Sequence, residues 1–300
     1  MIEELRGVLG AAPVPQGSWE RDACFVSTAA LRKTALRKTA ALPGTAALRG
    51  AAALPETSAL PETSALPETS ALSGTAVPGG TAVPGGTAES PAEAAERLAT
   101  RLRAVPGVRR VDVRPNGFLV IGVATPGRIV EDVLASPRRP GAAPVAVPRP
   151  GAVHSQPGAA VSPQHAAPWP DFPRTWDNPG FAVRYAYVRA GAVRRWAGDL
   201  GVRTGVAARP ELLDGPFDRA VLRVLAELPS RRESRDPGWA AYLERLAEAY
   251  HTAVERASPI PMGDEPPSEV HAARVRMGEA VRLVLGEGLV ELGVTPPGKI

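Results

Sequence analysis

The chain has a single cysteine, Cys24, which excludes an internal disulfide framework and any cysteine-built metal site. It has no run of about 18 apolar residues, so no membrane-spanning helix and no membrane partner are expected. The opening residues, Met-Ile-Glu-Glu-Leu-Arg, lack the basic-then-apolar order of a secretion signal, and a cytoplasmic location is the expectation. Aromatic residues make up only 5% of the 300 positions, so a large core is expected only in the C-terminal part. His154 and His165 lie eleven apart in a proline-rich stretch that offers no rigid frame for a metal ion or for proton transfer. No cofactor, no metal and no catalytic group are therefore expected. What abounds instead is proline (33) and glycine (30). The formal net charge is mildly basic, +4, which agrees with a polyanionic partner without requiring one.

Proline and glycine are concentrated in two regions. From Ala30 the chain repeats itself: Ala-Leu-Arg-Lys-Thr twice, Ala-Leu-Pro-Glu-Thr-Ser three times from Ala53 to Ser70, and Val-Pro-Gly-Gly-Thr-Ala twice from Val77 to Ala88. Such a segment buries too little apolar surface to offset its chain entropy, so residues 1–89 are expected to be disordered. Residues 136–174 are rich in proline and poor in bulky groups, and read as an extended or disordered linker.

Between these regions, residues 90–135 carry local order. Ser90-Pro-Ala-Glu is a capping-box start, with Glu93 at the third helical position. Ala94, Leu98, Leu102 and Val105 form an apolar stripe that ends at Pro106-Gly107. Val108, Val111 and Val113 alternate with polar residues, Asn116-Gly117 marks a hairpin turn, and Phe118 to Val123 reads as the return strand. A short helix is expected to follow, from Thr125-Pro-Gly-Arg through Leu134.

Residues 175–300 read as helices. Asp177 or Asn178 caps the first, and Pro179 suits its first position. Phe181, Tyr185, Val188, Ala192 and Trp196 recur at steps of four, three, four and four, a stripe expected to be buried. Arg184, Tyr187 and Arg194 then fall on another face, expected to be accessible. Guanidinium groups beside an aromatic ring suit phosphates and unpaired bases. Arg189 sits at the border of the stripe, where it can bridge helices or touch phosphate. Arg195 and its neighbours can equally be a solvated face. Residues 178–209 hold six arginines against one acidic residue, Asp199, which focuses basic charge on this helix and its exit. The second helix is expected from Phe217 to Leu228, closed by Pro229. The third begins at Asp236-Pro-Gly-Trp and carries Tyr242, Leu246 and Tyr250 on its stripe. The fourth is expected from Ser268 through Leu285, with a glycine-rich exit at Gly286 and Gly288. His251, beside Tyr250, is expected to pack and bond locally rather than to contact a partner.

The words of the first helix resemble those that open the anticodon-binding domain of arginyl-tRNA synthetases. Asn178, Pro179, Phe181, Val183, Tyr185, Ala186 and Arg189 match the pattern, whereas Ala182, Arg184 and Tyr187 depart from it. Leu246 to His251, and Ala273 through Pro297, match further words in the same order; the last residues, Pro297-Gly-Lys-Ile300, depart. Val111, Val113, Gly117, Phe118 and Leu119 resemble the close of the additional N-terminal domain of that family, which meets the outer corner of the tRNA. The resemblance implies a mainly α protein: a helical bundle of the class I anticodon-binding type, preceded by a small αββ remnant whose earlier part is missing. Together with the basic and aromatic face of the first helix, it points to RNA contacts at Asn178, Arg184, Tyr187, Arg189, Arg194, Arg195 and Phe118. The family's ATP-binding motifs, His-Ile-Gly-His-like and Lys-Met-Ser-Lys-like, do not occur. Two functions stay open on these grounds: a non-catalytic relative that binds tRNA or another structured RNA, or a protein-interaction module that reuses the bundle, with a protein of the translation machinery as a candidate partner.

Overall fold

A computed structural model describes residues 1–40, 90–136, 169–204, 209–233 and 238–300; of helical residues 36–40 it gives the backbone alone. The described part is mainly helical, with one small sheet. No described helix is long and apolar enough to cross a membrane.

The first forty residues are folded, against the expectation of disorder. Helix α1 (Ile2–Leu9) buries Ile2, Leu5 and Leu9, spaced three and four apart, and ends at Gly10 with φ of 78°. Strands β1 (Val14–Gln16) and β2 (Cys24–Ser27) follow, then helix α2 (Ala29–Ala40), built from the Ala-Leu-Arg-Lys-Thr repeat. Trp19 and Phe25 supply the bulk this region needs. Both are buried, with ring centroids 5.2 Å apart, and the indole Nε1 donates to the Cys24 carbonyl at 3.0 Å. Two large side chains near the chain start outweighed the low-complexity composition that follows them. The expectation of disorder over residues 41–89 falls outside the described residues.

The expected αββ unit is present, but it is the second half of something larger. Helix α3 (Pro91–Arg103) has both bonds of the Ser90–Glu93 capping box. Strands β3 (Val108–Val113) and β4 (Leu119–Val123) form the expected hairpin, and helix α4 (Arg128–Ala135) closes the unit. The sheet order is β1-β2-β4-β3, all antiparallel, with Phe25 opposite Ile121 and Val111 opposite Ile121 on the other side. Residues 1–40 thus share this unit's sheet through the β2–β4 pairing.

The C-terminal part holds α5 (Pro179–Asp199), a single 3₁₀ turn (Pro210–Leu212), α6 (Pro216–Leu225), α7 (Leu228–Glu233), α8 (Trp239–Arg256) and α9 (Glu269–Glu291). Two boundaries differ from expectation. Pro229 lies in the first turn of α7, where a missing N–H costs nothing, instead of closing α6. Helix α9 runs on through Gly286 and Gly288, because both face neighbouring helices at close range: a Cβ at Gly288 would meet the Leu243 side chain at 2.5 Å, and one at Gly286 the Tyr187 ring at 3.1 Å.

The αβ unit and the helices share one buried cluster. Helix α4 packs on α9 and α6, and Arg276 of α9 holds Glu131 of α4 through two bonds of 3.0 and 3.1 Å. Arg219 donates to the carbonyls of Trp19 and Arg21, and Arg223 to that of Gly17, so α6 grips the loop before β2. At Gly127 any side chain would collide with the Pro210 carbonyl.

If β2 is a true member of this core, Phe25→Ala should lower the unfolding free energy by about 3–5 kcal/mol, the usual cost of emptying a buried phenylalanine site. Urea denaturation measures it; an unchanged midpoint would return residues 1–40 to the disordered class.

Candidate nucleic-acid interface

Helix α5 is capped as expected: the Asn178 Oδ1 accepts from the Gly180 N–H at 3.0 Å. Its buried face is the reverse of the one expected. The stripe that enters the core is Val183, Ala186, Ala190, Val193 and Ala197, at steps of three and four, joined by Tyr187. The bulkier stripe of Phe181, Tyr185, Val188, Ala192 and Trp196 faces outward, partly or wholly exposed, and Trp196 is 51% exposed. Small residues won the inner face because α9 lies so close that only Ala, Val and Gly fit beneath most of it.

This inversion redistributes the expected contacts. Arg184 is 8% exposed, and its Nη1 and Nη2 donate to the carbonyls of Gly180 and Trp169 at 2.9 Å each. Asn178 is also buried, its Nδ2 donating to the carbonyls of Pro170 and Pro173 at 3.0 and 2.8 Å. Together these two residues tie residues 169–173 onto the start of α5, a short ordered piece of the stretch expected to be a linker. The rest of that stretch, with His154 and His165, falls outside the described residues. Tyr187 is 3% exposed, its ring against Gly286 and under the Arg282 guanidinium. Asn178, Arg184 and Tyr187 are therefore not positioned to touch a partner. Arg194 and Arg195 are exposed, the former 3.8 Å from Glu279 and the latter bonded back to the Gly191 carbonyl. Phe118, half-buried, sits at the β3–β4 turn, where its N–H donates to the Asn116 Oδ1 at 3.2 Å.

What α5 does present is an aromatic patch. Phe181, Tyr185 and His251 of α8 form a row of tilted rings with centroids 5.8 and 5.4 Å apart. Trp176, from the turn before α5, stands across that row at 5.9, 5.2 and 5.0 Å from the three rings, near-perpendicular to Tyr185. Edge-to-face pairs at such spacings add about 0.5–1.5 kcal/mol each beyond burial. Trp176 is nevertheless 60% exposed, so part of its surface is free for a further ring.

Arg189 borders the patch. Its Nη1 lies 3.4 Å from the His251 Nδ1 and 3.5 Å from Glu255. The His251 Nε2 is 3.2 Å from the Ala182 carbonyl, which can only accept. The proton is thereby assigned to Nε2, and Nδ1 is left as acceptor for Arg189. Desolvation, with the Arg189 charge beside it, pushes the imidazole below the ordinary histidine value, against the opposing pull of the Ala182 carbonyl and Glu255. Among the described residues no group of three or more His, Cys, Asp or Glu could hold a metal ion. The sequence reading assigned Phe181 and Tyr185 to the core and did not single out Trp176. The available signal was a tryptophan just upstream of a helix cap that carries aromatics at two positions one turn apart.

No family model matches the chain, and no solved structure matches it. One stretch is nonetheless related to an aminoacyl-tRNA ligase. One relative is an arginine–tRNA ligase of Clavibacter sepedonicus, 39% identical over 132 residues, covering 42% of this chain and 24% of that enzyme. The match spans about a quarter of the ligase's length, so the chain is a partial relative of it.

The neutral state of His251 makes a pH prediction. Its folded pKa lies below its unfolded value of about 6.5, so the unfolded state binds the extra proton. The stability it contributes is complete above about pH 6.5 and falls as pH drops through the folded pKa. His251→Gln should remove that part of the pH dependence in thermal melts between pH 7.5 and 5; identical pH profiles for both proteins would refute the assignment.

Proposed function

We propose that the chain is a non-catalytic relative of arginine–tRNA ligase that binds RNA, tRNA in particular, through the outward face of α5. On this reading the C-terminal helices are a bundle of the anticodon-binding type, and the αβ unit derives from the additional N-terminal domain. The observation that carries the reading is the exposed Trp176–Phe181–Tyr185–His251 patch with Arg189 at its border, in a chain related to a tRNA ligase. An aromatic platform beside a guanidinium suits a splayed, unpaired base, and each base–aromatic stack is worth about 1–3 kcal/mol. An anticodon loop presents such bases; a duplex does not.

Two variants separate this from a general attraction of charges. Trp176→Ala with Tyr185→Ala should weaken binding of an RNA hairpin with an open seven-base loop by about 10–100-fold in a filter or gel-shift titration, with little effect on duplex RNA. Arg189→Ala should weaken both RNAs and reduce the salt slope by about one unit. Equal loss for hairpin and duplex in the aromatic variant would argue against base stacking. These 300 residues should also show no arginine-dependent ATP–pyrophosphate exchange, since the phosphate-binding motifs of the family do not occur. Trp196 and Leu200, exposed and four residues apart at the end of α5, favour the second reading, a protein-interaction module. Absence of RNA binding by the wild-type chain at low salt would move the function there.

A further inference from the structure

Where α5 crosses α9, each helix contributes a large side chain and a glycine one turn apart: Tyr187 and Gly191 on α5, Arg282 and Gly286 on α9. The Tyr187 ring fits against Gly286, where a Cβ would lie 3.1 Å from the ring edge. The Arg282 guanidinium lies over that ring, its carbon 4.5 Å from the centroid. Its Nε in turn lies 3.1 Å from the place a Cβ would take at Gly191. Arg195, from the next turn of α5, folds back to the same spot. Its Nη1 donates to the Gly191 carbonyl at 3.2 Å and is 3.7 Å from the same Cβ position. Gly191 is therefore a notch in which two guanidinium groups meet.

Neither group has a carboxylate partner among the described residues. Glu279, one turn before Arg282 on α9, is already engaged by Arg194 at 3.8 Å and Arg276 at 3.5 Å. The Arg282 Nε is enclosed and unpartnered. Two cations held near one another repel, and each has N–H groups left unused; an anion between them removes both costs. Planar guanidinium groups favour phosphate, to which they donate along paired directions. Tyr187 stacking fixes the plane of one of them in advance.

We infer that the Gly191 notch, formed by Arg195 and Arg282, is a phosphate-binding site that takes a phosphodiester of the RNA whose bases stack on the Trp176 patch. The identity of the ligand rests on the proposed RNA function; the affinity for phosphate does not. The patch lies on the α8 border of α5 and the notch on its α9 border. Tyr185 and Gly191 are six residues apart, about 9 Å along the helix axis. That is the length of two or three stacked nucleotides, so one strand crossing the exposed face of α5 reaches both.

Titration of the ¹⁵N-labelled chain with inorganic phosphate tests the notch without RNA. The expected result is a saturable shift of the Arg195 and Arg282 Nε–H resonances, lost in Arg282→Ala. It should also be lost in Gly191→Ala, which keeps both charges but puts a methyl group where Arg282 lies. Arg195 is exposed, so Arg195→Ala should keep the wild-type melting temperature and still lose the phosphate response. With hairpin RNA, Arg195→Ala combined with Arg282→Ala should flatten the salt slope by about two units while the preference for an open loop remains. A wild-type response in Gly191→Ala, or no phosphate shift in the wild type, would overturn the site. Phosphate shifts in a chain that binds no RNA would keep the site and remove the RNA reading.

Discussion

The structure depends on how closely other helices approach α9. Its buried residues include His271, Ala273, Val275, Met277, Ala280, Val281, Val284, Leu285 and Leu289, which spread over more than half of its circumference. A helix enclosed in this way needs gaps in its own surface. Gly278 admits the Tyr250 hydroxyl, Gly288 the Leu243 side chain and Gly286 the Tyr187 ring. Each glycine costs helix propensity, about 1 kcal/mol relative to alanine, and each returns a close contact with a bulky neighbour. The inner face of α5 is small because α9 is near, and its large side chains are outside for the same reason. The aromatic patch is thus a by-product of tight packing elsewhere, available for recognition because the core had no room for it.

Much of the local structure was legible in the sequence. The Ser90 and Asn178 caps, the Asn116-Gly117 hairpin and the α8 stripe follow from rules that act over a few residues. The face of α5 was not legible by those rules. Hydrophobic periodicity marks the bulky stripe of 181, 185, 188, 192 and 196 and the small stripe of 183, 186, 190, 193 and 197 alike. Size favours the first, and only the distance to α9 decides for the second. Arg184 was misread for a similar reason. A buried guanidinium needs carbonyl partners, and those come from Trp169 and Gly180, one of them fifteen residues away in a stretch that looks like linker. Residues 1–40 were obscured by the repeats that follow, although Ile2, Leu5 and Leu9 already carry helical spacing.

Charge follows the same economy. Of the arginines expected on an RNA face, Arg184 is spent on the loop before α5; elsewhere Arg219 and Arg223 hold the loop before β2, and Arg276 holds α4. Those left without carboxylates at α5 are few, which makes Arg195 and Arg282 conspicuous. Net charge alone, +4 over the chain, says little about where a polyanion would lie.

The common core of the αβ unit and the helices has a consequence for how the chain holds together. Helix α4, ending at Ala135, and Trp169, buried before α5, both belong to this body. The αβ unit and the C-terminal helices are thus two pieces, each completing the other's interior. Neither piece would be a domain in the ordinary sense of a unit that folds alone. The α4–α9 contact is part of what joins them.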